Sequence, residues 1–227
     1  LRTVKKPRAL ALKLHGSRNR RESTTEELMS HPPRFQVLVP TRVRLLLPAS
    51  EPSPAVVQHI QWHRSRAAQA AELEGPWMLR VCVRLPLQPG SGVSALLAAR
   101  WLGALHVRWL NQMGLGSAAP YNGPVLPAWA AFRARGPGDV VVGTRKVCNV
   151  AATASGGQVL LVASTLLQPP AWGVLGMALG RPMQDLVELH DSSLAASMLL
   201  GRRVDAAQWA ASLRTALQLT MLPGEKP

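Results

Sequence analysis

Cysteine is nearly absent from this chain: among 227 residues there are two, Cys82 and Cys148. Two thiols cannot build a disulfide framework or a cysteine-based zinc site. Both stand in apolar, strand-like segments, where a packed free thiol is the expected state. Stacking aromatics are equally scarce, with one Tyr and two Phe. The seven Trp sit among apolar neighbours and read as core. No apolar run reaches the roughly 20 residues of a membrane-spanning helix. The one early apolar stretch, residues 9–14, is broken by Lys13 and has no small-residue cleavage site after it. The expected location is therefore cytoplasmic, with no membrane partner. There is no phosphate-binding P-loop, no Gly-x-Ser-x-Gly elbow and no Ser/His/Asp set. His59 and His63 are four apart on an expected helix, but no third ligand lies near them, so no metal site is expected.

What the chain does have is apolar content and positive charge. Hydrophobic residues make up 47%, enough for a sizeable core, and the net charge is +14. Residues 1–34 hold nine Lys and Arg against three Glu, and the other 193 hold seventeen against nine. The charge is thus dense at one end and mild in the body. With few stacking residues, a sequence-reading nucleic-acid domain is disfavoured. A nucleic-acid-associated protein driven by the basic end is the weakest of three readings.

Residues 1–33 mix Lys, Arg, Ser and Thr without a sustained period and end in Pro32-Pro33, which predicts a disordered tail. Residues 34–227 are expected to form one domain. FQVLV (35–39) and RVRLLL (42–47) are β-rich. The stretch from Ser53 to Gly75 has helical composition, with Pro54 in its first turn. WMLRVCVRL (77–85) alternates as a half-buried strand should. A helix opens at Ser91, with Leu96, Leu97, Trp101, Leu105 and Trp109 as its apolar stripe and Gly114 as its stop. Residues 117–129 read as an irregular loop. Strands at 139–142, 145–153 and 158–167 are joined by short Gly-containing turns, which favour antiparallel hairpins. A short helix stopping at Gly180 follows. Then come a helix capped by Asp191 and stopped at Gly201, and a last one capped by Asp205. The sum is α+β: a largely antiparallel mixed sheet flanked by helices.

One lysine stands out. In GDVVVGTRKVCNVAATASGGQVLLV (138–162), Lys146 follows a tight turn and precedes uncharged, mostly small residues. Beside a turn, a lysine is ordinarily solvated. Small strand residues, however, leave room for a ligand to approach. A compact cation at the mouth of an apolar slot suits an acyl carbonyl or a phosphate. Cys148, two residues on, would share the strand face of Lys146, and a neighbouring ammonium lowers a thiol pKa.

GPGDVVVGTRKVCNVAATASG resembles the central motif of the biotin/lipoate protein ligase superfamily, in its lipoate–protein ligase and octanoyltransferase branch. PAWAAFRARGPG and EGPWMLRVCVRLP resemble the segments that lead into that motif and that follow the family's glycine-rich loop. The resemblance implies that Lys146 is catalytic and contacts the acyl carbonyl or acyl-adenylate. It implies a substrate site at Asp139, Gly143, Arg145, Asn149, Ala151, Gly75 and Trp77, and places Arg64 and Arg66 at a cofactor. ATP and magnesium with lipoate or octanoate are the cofactors and ligands it implies. The partner would be a lipoyl carrier domain or an acyl carrier protein, the protein would be a monomer, and the activity would be protein lipoylation by a ligase or an octanoyl/lipoyl transferase. The chain also departs from the family. Ala67, Ala68, Gln69 and Ala70 replace loop glycines, Asn149 replaces a glycine, Ala152-Thr153 replace Gln-Arg, and Ala131 stands where the transferases have cysteine. These departures motivate the alternative, a catalytically inactive acyl- or carrier-domain-binding protein on the same fold.

Overall fold

Alternation along Met78–Pro86 is the simplest signal in the chain, and it builds the sheet that everything else packs on. The computed structural model describes residues 34–50, 60–64, 69–87 and 94–221. Its large sheet has six strands: β1 (Arg34–Leu38), β5 (Met78–Pro86), β9 (Gln158–Leu166), β8 (Arg145–Ser155), β7 (Val140–Val142) and β6 (Ala118–Pro120), in that spatial order. Every neighbouring pair is antiparallel. A smaller sheet orders β3 (Gln61–Arg64), β2 (Arg44–Leu47) and β4 (Glu72–Glu74), with β2 and β3 parallel. Helices α1 (Ala95–Leu110), α2 (Trp172–Ala178), α3 (Met183–Ser192), α4 (Ala196–Leu200) and α5 (Ala206–Met221) complete the fold. The expected α+β class, with helices flanking a largely antiparallel sheet, is what the structure has.

The two faces of the large sheet carry two separate cores. On one, Leu79, Val81, Val83, Cys148, Leu161 and Ala163 pack against Leu102, Leu105 and Trp109 of α1 and Trp209, Leu213 and Leu217 of α5. On the other, Met78 and Leu166 join Leu45, Leu47 and Leu73 of the small sheet, together with Phe132, Trp172, Leu175 and Leu189. β9 lies in the middle of the sheet, and burial on both faces explains its near-continuous apolar run.

Helix α1 begins where Ser94 accepts a hydrogen bond from the Leu97 amide at 3.2 Å. The start is thus three residues later than Ser91. Its buried side is Ala98, Ala99, Leu102, Leu105, His106, Trp109 and Leu110, whereas Leu96 and Leu97 are exposed. A wider π-helical turn, Asn111–Leu115, follows and contains Gly114. Gly103 matters most for the site. A Cβ there would sit 2.2 Å from the Gly138 carbonyl oxygen. Gly138 in turn has φ +94°, and a Cβ on it would sit 2.4 Å from the Ala99 carbonyl oxygen. Two glycines therefore let α1 touch the backbone just before Asp139.

Three expectations fail. Residues 61–64 and 72–74 are strands, not helix, because edge pairing with β2 supplies hydrogen bonds that outweigh local propensity; residues 51–59 and 65–68 lie outside the described residues. Asp191 does not cap a helix; it lies in the last turn of α3, a helix the sequence reading did not anticipate. His63, expected with His59 on a helix, is on strand β3 instead. The Asp205 cap holds: its carboxylate accepts from the amides of Ala207 and Gln208 at 2.9 and 3.2 Å.

His106 links this core to pH. It is fully buried, its Nδ1–H donates to the Leu102 carbonyl at 2.8 Å, and its Nε2 is buried with no partner. Burial depresses its pKa from 6.5 to about 4. The unfolded chain therefore binds the extra proton between those values, and stability falls as pH drops through that window. We expect His106→Phe to flatten the loss of unfolding free energy between about pH 6.5 and pH 4 by on the order of 3 kcal/mol. Parallel urea titrations of both proteins across that range check this; identical slopes would refute it.

Candidate functional site

Lys146 is neither solvated nor at a mouth. Its side chain is fully buried at the floor of a cavity of about 350 Å³ between the large sheet, the edge of β4 and the segment 125–137. The ammonium makes three contacts: the Asp139 carboxylate at 2.7 Å, the Ala131 carbonyl at 2.7 Å and the Asn149 side-chain oxygen at 3.0 Å. A lysine ammonium has three protons, so its donors are all used. Asp139 is equally committed. Its carboxylate also accepts from the Gly136 amide at 2.8 Å and the Val150 amide at 2.9 Å. Burial pushes the Lys146 pKa down and the Asp139 pKa up, and each charge opposes the other's shift.

A β-bulge aims the lysine. Val141 pairs with Lys146, but Val140 pairs with Cys148, so β8 has one residue more than β7 here. Val140 and Val141, being adjacent, point to opposite faces, and so do their partners Lys146 and Cys148. The expectation that these two share a face is thereby corrected. Asn149, next after Cys148, returns to the face of Lys146 and bonds it. Cys148 lies instead in the helix-covered core, where burial pushes its thiol up to about 12. Neither cysteine lines the cavity.

Of the residues singled out in the sequence, Lys146, Asp139, Asn149 and Ala151 meet at the cavity wall. The others do not. Gly143 is in the β7–β8 turn. Arg145 donates from Nε to the Ser193 carbonyl at 2.9 Å, tying β8 to the end of α3. Gly75 forms the β4–β5 turn against the ring of Trp77, whose backbone carbonyl accepts from Leu167 at 2.8 Å. Arg64 is exposed on β3 and donates to the Ala49 carbonyl at 2.7 Å. Arg66 lies outside the described residues.

Sequence reasoning missed three charged cavity residues. Arg135 donates to the carbonyls of Phe132, Thr144 and Ser192 at 3.1, 2.9 and 3.0 Å, bracing the segment that holds Ala131. Arg80 and Glu72 pair at 3.1 Å, both substantially buried. The available signal was a charge at an inward position of an otherwise apolar strand, Arg80 in MLRVCVRLP. Each described cation lining the cavity is thus already engaged: Lys146 by three acceptors, Arg80 by Glu72, Arg135 by carbonyls. Among the described residues no uncommitted cation in the cavity is left to cradle a polyphosphate, and no acidic cluster is left for a metal.

Removing Asp139 would leave a buried ammonium without its counter-charge and two amides without an acceptor. We expect Asp139→Ala to lower unfolding free energy by roughly 3–5 kcal/mol. Chemical denaturation followed by Trp fluorescence measures this, and a loss below about 1 kcal/mol, the scale of an exposed pair, would show that the pair is not a structural anchor.

No protein-family model and no curated protein matches the sequence. Solved structures do resemble the fold. The T. acidophilum protein Ta0514, with bound lipoic acid, superposes with a TM-score of 0.62 at 14% identity, over 84% of this chain and 75% of that one. Lipoate-protein ligase A bound with ATP gives 0.61 at 14% identity, over 83% and 74%. The bipartite lipoate protein ligase of Thermoplasma acidophilum, studied with its E2 lipoyl domain, gives 0.60 at 10% identity, over 83% and 71%. At such identities the likeness speaks for architecture alone: this chain has the fold seen in these lipoate protein ligases.

Proposed function

We propose that the cavity beside Lys146 binds lipoate or a medium-chain acyl group, and that the protein acts in attaching it to the lysine of a lipoyl carrier domain. The observation that carries this reading is the buried Lys146 ammonium, fixed by Asp139 at the floor of a cavity whose walls are mostly small and apolar. The solved proteins of this fold include one holding lipoic acid and one studied with its lipoyl domain.

The chemistry asked of this chain is positioning and charge stabilisation. The acyl carbonyl would take the place of the Asn149 oxygen on the Lys146 ammonium. Asn149 is the most replaceable of the three partners, being half-buried, the most distant and free to turn about its side-chain bonds. A fixed ammonium at an oxygen that gains negative charge stabilises the acyl-transfer transition state. Asp139 holds the ammonium in place and keeps it charged against desolvation. Neither cysteine reaches the cavity, and Ala131 offers only its carbonyl, so a thioester on this chain has no support among the described residues. ATP with magnesium would activate the acyl group in a ligase. The described cavity residues do not form a site for it, so no step is assigned to it. The second reading, a non-catalytic acyl or carrier-domain binder, is favoured by that same shortage of phosphate-binding groups.

A mass-shift assay separates the readings. The full chain is mixed with an apo lipoyl domain, and with either lipoate, ATP and magnesium or octanoyl-carrier protein. Acyl mass gained only with ATP identifies a ligase, and acyl mass gained from the carrier alone identifies a transferase. Lys146→Ala and the longer Lys146→Met, checked for folding by circular dichroism, are expected to lose transfer by roughly 10²–10³-fold. No transfer under either condition by folded wild-type protein, with lipoate or octanoate still bound, would leave the binder. Transfer that survives both substitutions would remove Lys146 from the mechanism.

A further inference from the structure

The cavity has a second polar end, which the acyl reading does not use. Arg80 on β5 is in register with Ser164 on β9, and Ser164 with Asn149 on β8. Side chains in register share a face, so the three form one row across the sheet. At the usual strand spacing of about 4.8 Å, the row carries the floor about 10 Å from Asn149 to Arg80. Glu72 stands over its far end.

That end is short of donors. Glu72 and Glu74 are both buried; Arg80 pairs with Glu72, and Arg44 lies opposite Glu74 in register. Glu72 meets Arg80 through Oε2 at 3.1 Å. Its other oxygen, Oε1, is buried and has no hydrogen-bond partner, in a side chain that lines the cavity and is 6% exposed. The Ser164 hydroxyl, in the same row, is likewise buried without a partner. A buried carboxylate oxygen left without a donor is destabilising, and native structures rarely leave one. At the other end Asp139 is saturated by two amides and an ammonium, and Lys146 by three acceptors. Among the described residues lining the cavity, Glu72 Oε1 is the buried side-chain oxygen without a partner.

We infer that Glu72, backed by the Arg80–Ser164–Asn149 row, is a subsite for an N–H donor group on the ligand, a primary amine above all. An amine supplies the donor that Glu72 Oε1 lacks, together with a positive charge against that carboxylate. The inference rests on this cavity being the ligand site and adds to it a second place: beyond the acyl end at Lys146, the Glu72 end takes a group bearing an amine or similar N–H donor.

Calorimetric titration of the full chain with three probes tests this. n-Hexylamine carries the donor and no carboxyl. Hexyltrimethylammonium carries the charge and no N–H. Octanoate carries the carboxyl and no distal donor. Hexylamine is expected to bind wild-type protein at least tenfold more tightly than hexyltrimethylammonium, and Glu72→Gln is expected to weaken hexylamine at least tenfold while leaving octanoate unchanged. The comparison of the two amines needs no variant, so it stands even if Glu72→Gln fails to fold. Absent hexylamine binding, equal binding of the two amines, or equal hexylamine binding by folded Glu72→Gln would overturn the subsite. Octanoate reports separately: its failure to bind while hexylamine binds would remove the acyl reading and keep the subsite, and the reverse result would do the opposite.

Discussion

The Lys146–Asp139 pair is the constraint around which the rest is arranged. Two charges taken out of water are stable only when each is paired and its remaining hydrogen-bonding capacity is filled. Here that requirement draws in four groups from two pieces of chain: the Ala131 carbonyl and the Gly136 amide from the segment 125–137, and the Asn149 side chain and the Val150 amide from β8. The pair therefore fixes the segment 125–137 against β8. Helix α1 is coupled to the same point, since the Gly103–Gly138 contact seats it on the residue before Asp139. Arg135 braces the other side through carbonyls on three segments.

The bulge in β8 divides chemistry from core. One extra residue sends Lys146 and Asn149 to the cavity and Cys148 to the helix-packed face. An ammonium thereby faces the cavity and a thiol does not. This favours charge stabilisation of a carbonyl over covalent catalysis by cysteine. It also leaves a cavity with a saturated polar end at Lys146 and an undersupplied one at Glu72.

Much of the fold was legible because its signals are local. β5, β8 and β9 show alternation or continuous β-branched and apolar runs between Gly and Pro stops, and these periods do not depend on distant partners. The Asp205 cap and the Gly-containing turn before Lys146 are likewise local events. The misreadings fall where local signals are weak or misleading. Residues 61–64 and 72–74 have helix-forming composition but lie along the edges of β2, and pairing decided their state. Leu96 and Leu97 belong to an apolar stripe, yet α1 is rotated so that Ala98 and Ala99 face the sheet, with the small residues allowing close approach.

The site divides the same way. From sequence alone came the strand–turn–Lys146 motif, the acidic residue ahead of it, and the small residues that leave space beside it. Those are properties of composition and spacing. The ion pair itself, the bulge that separates Lys146 from Cys148, the departure of Arg145 to the end of α3 and the meeting of Glu72 with Arg80 came only with the tertiary structure. Each depends on which strands lie next to which, and in what register. A single-residue shift in register reverses the face of every side chain beyond it, and no pattern within one strand reports the partner that imposes it.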